Sequence, residues 1–386
     1  MRNIYVFYPT QVIGGAELLF VRVLNFLAQH YPIKVGYINF ADSCINELLS
    51  ECVERIVVDK SITLPSHSTI IAPPFCLCKF PKIKSKNIYF LYWVLHFEEF
   101  TISMMPLARI TREDCAKKAQ TMIHYNALIC MDEVTKIATE EFSSLKVEQK
   151  HIVPVILEDY PCSFTKETLV DEECIHIAWV GRLSRDKIYA LINLMDNLEK
   201  LDLDKKIKLH IIGEGDSKHL IREYPYEVIY LGTLSPKDLP LYLQKNCDIC
   251  FAMGTSMLEA EKCGVPAAMV FYTTEKFSND SFVWTFKLKN YVLGYEKSLG
   301  LIPETELMSL EQILNDFLAN MAHRSKEARA HFESFLIEKH IEKFLQCANE
   351  TSYSMEVLSK EKSKIKVERL KCKIIKLFKK LRKVLT

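Results

Sequence analysis

The sequence predicts an α/β protein built from two doubly wound domains. Short β-rich apolar runs alternate with helical patterns almost from the first residue, the rhythm of a parallel sheet whose strands are buried on both faces. That rhythm lapses into a polar stretch after Pro154 and restarts near Cys174. The 386 residues also exceed what one hydrophobic core grows around comfortably, which suits two domains of roughly 150 to 180 residues.

In the first half, NIYVFY, IKVGYINF, RIVV, TIIA, NIYFLYWVL, NALICM and HIVPVI read as strands, with helices over 16–29 and 133–142. Pro161 and the Thr, Lys, Asp and Glu cluster through Glu173 read as a linker. In the second half, IHIAWVG, IKLHIIG, VIYLG, CDICFA and AAMVF read as strands. Helices are expected over 189–201, near 218–224, over 237–245 and from Met257, with 308–348 and the tail mostly helical. The expected organisation is 1–158 as an N-terminal Rossmann-like domain and 172–325 as a second one. A helix over 326–350 is free to cross back to the first domain, and 351–386 forms a tail.

Composition narrows the class. The thirteen Cys are scattered without CxxC pairs, and the close pair Cys76 and Cys78 has no His or second Cys pair nearby, so they read as reduced thiols. The N-terminus runs straight into a strand without the apolar segment of a secretory leader, and no apolar run reaches the roughly 20 residues that span a bilayer. A cytoplasmic protein is expected.

Ligands of doubly wound sheets bind outside the carboxyl ends of the strands, so the loops that follow strands carry the chemistry. After the first strand, YPTQVIGGAELLF offers Gly14 and Gly15 for a tight turn and Glu17 in the first helical turn. Amides at such a helix start hold a phosphate or sugar oxygen; a plain turn is the alternative. WVGRLSRDK puts Arg182 just past a strand and Lys187 five residues on, a pair suited to a diphosphate or to plain solvation. In MGTSMLEAEKCGVP, Gly254, Thr255 and Ser256 lead into a helix, and Glu259 either accepts paired ribose hydroxyls or compensates the helix dipole. Asp202 and Asp204 form a D-x-D on a polar connection ahead of a strand, and are discounted as a metal site. GEGD at 213–216 is a weak signal, readable as a tight turn.

Taken in order, GGAE, VGRLSRDK, LHIIGEGD and YLGTLSPKDLPLYLQKNCDICFAMGTSMLEAEKCGVP resemble the GT-B glycosyltransferases of the retaining family-four type, over about residues 1–275. The resemblance implies two Rossmann-like domains facing a cleft and a nucleotide-diphosphate sugar as donor, with no cofactor and no metal. By it, Gly14 and Gly15 approach the donor diphosphate, Arg182 and Lys187 bind it and stabilise the leaving group, Glu259 reads the ribose, and the amides near Gly254 and Thr255 meet the distal phosphate or sugar. His96, ending NIYFLYWVLH, falls where the family often has a His near the transferred sugar, and a structural His is the alternative. Glu98 and Glu99 read as solvated charges, with contact to an acceptor as the other option. The chain departs from the family at Phe251, where a second Glu normally stands eight positions before Glu259.

The net charge of +1 hides an asymmetry: from Lys360 onward there are twelve Lys or Arg against two Glu. There Val367, Leu370, Ile374, Leu377, Phe378, Leu381, Val384 and Leu385 recur at helical spacing, with cations on the other face. A basic amphipathic helix of this kind lies in the interface of an anionic membrane; a packing helix, a coiled coil or a nucleic-acid arm are the alternatives. The combined expectation is a glycosyltransferase of bacterial surface polysaccharide assembly (capsule, O-antigen or lipooligosaccharide), peripheral on the inner face of the cell membrane, with a glycan or lipid-linked acceptor and no nucleic acid. A non-catalytic glycan- or nucleotide-binding partner and a sugar-nucleotide epimerase of the same fold are the competing expectations.

Overall fold

A computed structural model describes residues 1–160, 164–295 and 297–385, which cluster into two units. The first comprises Met1–Leu157 and the chain from Ile337 onward. Its strands are β1 (Asn3–Phe7), β2 (Val35–Asn39), β3 (Glu54–Val57), β5 (Ser68–Ala72), β7 (Ile88–Val94) and β8 (Leu128–Cys130), with β4 (Ser61–Ile62) and β6 (Lys82–Ile83) as a small separate pair. The main sheet has the order β3-β2-β1-β5-β7-β8 and is parallel throughout. Because β2 and β5 lie on opposite sides of β1, the direction of winding reverses between β1 and β5, and a crevice opens there at the carboxyl ends.

Helices α1 (Gly15–His30), α2 (Met105–Ala108), α3 (Arg112–His124) and α4 (Glu133–Ser143) follow these strands. Local chemistry sets their ends. Thr111 caps α3 by accepting the Asp114 N–H, and Asp132 with Thr135 forms a reciprocal capping box on α4.

The second unit, Glu158–Leu336, repeats the plan. It holds β9 (Cys174–Val180), β10 (Lys206–Ile212), β11 (Glu227–Gly232), β12 (Ile249–Ala252), β13 (Ala267–Met269) and β14 (Val283–Trp284), with α5 (Ile188–Leu198), α6 (Asp238–Asn246), α7 (Thr255–Glu261) and α8 (Leu310–Glu333). The sheet order is β11-β10-β9-β12-β13-β14, parallel except for the last pair. All seven residues of β9 are buried, as a central parallel strand requires. The winding reverses between β9 and β12, so the loops after these two strands flank the crevice.

Two expected elements differ. HIVPVI forms no strand beyond a single bridge from Ile152 to Cys130, because Pro154 has no N–H to continue a ladder. The helix expected near 218–224 is one 3-10 turn at Asp216–Leu220, and Pro225 pushes Tyr224 out of the helical region.

The chain returns to the first unit through α9 (Ile337–Glu350) and α10 (Met355–Leu385). One face of α9, with Ile337, Ile341, Phe344, Leu345 and Ala348, is buried, and Phe344 packs 5.4 Å from the Trp93 ring. Helix α10 begins as a packed element: Leu358 and Ile365 are buried, and the buried Lys118 ammonium of α3 lies 3.0 Å from Glu361 and 2.8 Å from Glu368. Val367 and Leu370 of its apolar series are exposed. Ile374, Leu377, Phe378, Leu381, Val384 and Leu385 lie outside the residues whose side chains are described, as does Pro161 of the expected linker. Among the described residues no helix is long and apolar enough to cross a membrane.

Within the second sheet, His176 Nδ1 and His210 Nε2 share a 2.9 Å hydrogen bond, and the Tyr242 hydroxyl lies 2.8 Å from His210 Nδ1. Burial holds His210 down to about 4 and lowers His176 as well. A His whose folded pKa lies below its unfolded value takes up fewer protons folded than unfolded, so this stabilisation is full above about pH 6.5 and is lost as the pH falls toward 4. Thermal unfolding between pH 7.5 and 4.5 should therefore show the second unit weakening in acid, by up to roughly 3 kcal/mol from His210. His210→Gln should flatten that slope; an unchanged slope would count against the His pair as its source.

Candidate functional site

The donor-side residues gather on the second unit at the carboxyl ends of β9, β10 and β12. The loop after β9 owes its shape to the loop after β10. Gly181 N–H donates to Ile212 O, Leu183 N–H to Glu214 O, and Ser217 N–H to Leu183 O, each within 3.0 Å. A Cβ on Gly213 would lie 2.1 Å from the Gly181 carbonyl oxygen, and one on Gly215 would lie 2.2 Å from that of Leu183. Gly213 also holds φ +143°, where side chains are strained. GEGD, weak as a sequence signal, is thus the bed on which the cationic loop lies.

On that bed Arg182 is exposed, 70% by side chain, with one loose ion pair to Asp186 at 3.5 Å. Such a surface pair is worth little and leaves the guanidinium able to turn to a stronger anion. Lys187 stands immediately before α5 and is half-buried, the Cβ position of Gly181 lying 3.4 Å from its Cδ. Burial first, and then the nearby Arg182 charge, push its ammonium down to about 8 against the opposing pull of Asp186. A partly desolvated cation of this kind gains strongly when an anion arrives.

Across the crevice, β12 ends at Ala252 and Gly254 turns the chain with φ +70° and ψ −153°, its N–H donating to Leu293 O at 2.6 Å. No atom would crowd a Cβ there, so backbone conformation alone requires glycine. Thr255 opens α7, and Glu259 follows one turn on, its side chain 12% exposed and 4.0 Å from Lys262. Glu261 on the same helix is fully buried, bonded to the Thr285 hydroxyl and to His331 Nδ1 at 2.7 Å, and Arg329 donates to Lys262 O at the helix end. These contacts fix α7, and hence Glu259, and nothing in the local sequence announces them. Phe251, at the position of the family's other Glu, is fully buried in β12 with its ring 5.4 Å from Phe282; it belongs to the core.

On the first unit, Gly14 caps α1, and a Cβ there would come within 2.8 Å of Glu17 Oε2. Gly15 is exposed, and Glu17 is buried, accepting from Thr10 Oγ1 and lying near the Tyr8 hydroxyl. Glu17 therefore shapes the loop from beneath. His96 is half-buried, its ring stacked on Phe97 at 4.5 Å, and its Nδ1 accepts the Glu98 N–H at 3.1 Å, which leaves the ring proton on Nε2. Glu98 is half-buried, while Glu99 is buried and so is not the solvated charge the sequence suggests: the chain folds into a π-helical turn at that point and takes Glu99 inward. Asp202 and Asp204 are exposed ahead of β10, at the opposite end of the sheet from the crevice. Among the described residues no cluster of His, Cys, Asp and Glu forms a metal site.

Residues 164–272 match the family described as Glycosyl transferases group 1, and this stretch holds Arg182, Lys187 and Glu259. Among solved structures, Anabaena HepE in complex with UDP aligns at 14% identity over 90% of this chain and 99% of its own, with a TM-score of 0.55. The lipopolysaccharide outer core galactosyltransferase WaaB, apo form, aligns at 15% over 90% and 99%, TM-score 0.52. A TarM mutant of S. aureus in complex with Fondaparinux, alpha-GlcNAc-glycerol and UDP aligns at 12% over 90% and 100%, TM-score 0.57. At these identities the likeness carries the fold, two Rossmann-like halves of the GT-B class. No curated protein matches the sequence.

Gly213→Ala and Gly215→Ala each set a Cβ against a backbone carbonyl that has nowhere to go. Either should cost roughly 2–3 kcal/mol of second-unit stability and weaken nucleotide binding by displacing Arg182 and Lys187. Thermal unfolding with and without UDP reads both effects; a variant that melts and binds like the wild type would show that the loop does not depend on its glycine bed.

Proposed function

We propose that the protein is a glycosyltransferase that takes a sugar from a nucleoside-diphosphate donor and passes it to a glycan or lipid-linked acceptor of surface polysaccharide assembly. The observation that carries this reading is the half-buried Lys187 ammonium, set with Arg182 on one side of the crevice that Gly254, Thr255 and Glu259 line on the other, within the stretch that matches group 1 glycosyltransferases.

In this reading Arg182 and Lys187 receive the donor diphosphate, Arg by its planar fork and Lys as a point charge. They stabilise the charge that grows on the leaving diphosphate, the service a divalent ion gives in other transferases. The first amides of α7 face the distal phosphate or the sugar, and Glu259 accepts the ribose hydroxyls. Gly14 and Gly15 let backbone approach the diphosphate from the first unit, and the Nε2–H of His96 donates to a hydroxyl of the transferred sugar. Transfer is proposed to retain anomeric configuration, the acceptor attacking on the face the diphosphate leaves. UDP is the first nucleotide to test, because HepE and TarM carry it in their solved complexes. Phe251 favours one second reading: with an apolar core residue in place of a sugar-side Glu, a nucleotide-binding partner without transfer activity is the alternative.

Lys187→Ala and Glu259→Ala should each raise the UDP dissociation constant by roughly 10- to 100-fold and abolish most transfer of radiolabelled sugar, with melting temperature little changed. Wild-type affinity in both variants would defeat the donor-site assignment, and tight UDP binding without any turnover would favour the non-catalytic partner. An arriving diphosphate raises the Lys187 pKa from about 8, so UDP binding should take up protons near pH 8 and weaken as the pH climbs further. Calorimetry in buffers of different ionisation enthalpy measures that uptake; Lys187→Ala should lose it.

The membrane assignment is part of the proposal. Residues beyond about 369 are proposed to lie on an anionic bilayer, with each cation near the surface contributing on the order of 1 kcal/mol. Truncation before Ile374 should abolish pelleting with liposomes containing phosphatidylglycerol while leaving UDP binding intact; pelleting that survives truncation would remove the tail from the account.

A further inference from the structure

The first unit buries an acid that the donor chemistry does not use. Glu99 opens the π-helical segment Glu99–Met104, three residues after His96, and is 4% exposed. The segment packs against the turn Pro74–Cys78 after β5, whose Phe75 N–H faces the carboxyl, while Oε1 has no hydrogen-bond partner among the described residues. One carboxyl therefore links two loops at the carboxyl ends of the sheet, and the β5 loop flanks the point where the winding reverses. Buried polar atoms are rarely left unpaired, and π turns are rare and concentrate at functional sites. Here the two coincide on one residue.

Apart from the Phe75 amide, the groups around Glu99 give its charge no support. Tyr8, after β1, and Cys76, after β5, both lie close enough to feel its charge, and the Tyr8 hydroxyl also lies near the Glu17 carboxylate of α1. On α3, Cys115 Sγ lies 3.6 Å from Phe100 O of the π-helical segment. His96 and Glu98 stand beside it on its own loop, with His96 Nδ1 taken by the Glu98 N–H. Desolvation dominates and pushes the carboxyl up to about 8, so at neutral pH it is held in the uncharged form that this enclosure tolerates.

We infer that Glu99 is a positioning residue for the transferred-sugar contact: by seating the segment from His96 to Met104 against the Phe75 loop, it sets where the His96 ring stands. This rests on the reading of His96 as a sugar contact. Ionisation of Glu99 would drive a charge into the enclosure and loosen the segment, so the order of the loop is linked to the proton on this carboxyl. The sign is fixed by burial. An acid whose folded pKa lies above its unfolded value is penalised as the pH rises from the unfolded value toward the folded one, here from about 4.5 to about 8.

The test compares the full-length wild type with Glu99→Gln, which keeps the shape and the acceptor for Phe75 without a titrating proton, and with Glu99→Ala. Two readouts need no ligand: protection of the 96–104 amides against hydrogen exchange, corrected for intrinsic rates, and the His96 ring resonances from pH 6.5 to 9. A third is the pH profile of sugar transfer from UDP-glucose to octyl glycosides. In the wild type, protection of the segment should fall by roughly tenfold between pH 7 and 9, with the His96 resonances moving through the same range. Glu99→Gln should hold both constant and melt above the wild type by a margin that grows with pH, and Glu99→Ala should be loosened at every pH. A Gln variant that tracks the wild-type curve, or an Ala variant with wild-type protection and His96 shifts, overturns the inference. Calorimetry with UDP separates the two claims: if no form of the protein binds UDP, the donor reading fails while exchange and resonances still decide Glu99. Should Glu99→Ala not fold, the Gln comparison stands by itself.

Discussion

The donor side of the second unit depends on one backbone-to-backbone contact. The loop after β9 lies directly on the loop after β10, and the carbonyls of Gly181 and Leu183 occupy the space where side-chain carbons of residues 213 and 215 would otherwise stand. Three amide hydrogen bonds close the contact. Everything proposed for Arg182 and Lys187 follows from it, because a loop held by its own backbone presents its cations from a fixed base. Without that contact the same two cations would be solvated charges on a mobile turn, whose ordering a ligand would have to drive at a cost in conformational entropy.

Burial then divides the ionisable groups into those that wait for a partner and those that already have one. Lys187 is desolvated and carries only the weak opposition of Asp186 to Arg182, so its low pKa marks a cation short of negative charge. Glu261 is buried more deeply yet meets a hydroxyl and a His, and its environment is complete. Glu99 falls between them, facing the Phe75 amide but with Oε1 unpartnered. The contrast separates anchors from candidate functional groups better than burial alone, since a satisfied buried charge holds the fold and an unsatisfied one costs free energy unless something later engages it.

The alternation of apolar runs was enough to read the two sheets and most of their strands, because parallel strands buried on both faces leave an unmistakable run of Val, Ile and Phe. It misled where residue type overrode pattern: Pro154 in HIVPVI removes the amide a strand needs, and the segment near Tyr224 is too short and too close to Pro225 to wind an α-helix. Gly14, Arg182, Lys187 and Gly254 were legible because they stand where strands end, and position after a strand is a local property. Glu99 was not, because its burial comes from a π turn and a loop 24 residues earlier, which no window around LHFEEF contains. The His331 support of α7 was illegible for the same reason, lying 70 residues from Glu261.

The last helix shows how one amphipathic pattern serves two ends. Read as a single periodic stretch, 360–386 looks like one surface-seeking device, yet its two acids, Glu361 and Glu368, both close on the buried Lys118 ammonium. Two carboxylates around one buried cation form a stringent lock: moving the helix out would leave Lys118 with no counter-charge in an apolar setting, a cost of several kcal/mol. The acids therefore mark the docked part, and their absence after Glu368 marks where docking by this means ends. From there the sequence continues, Thr386 apart, with cations and apolar residues, and Val367 and Leu370 are already exposed at the boundary. A helix tied to the protein over its first turns and free of acids thereafter would, if the proposed contact with an anionic surface forms, pass that contact directly to the folded unit, which a wholly detached tail could not do.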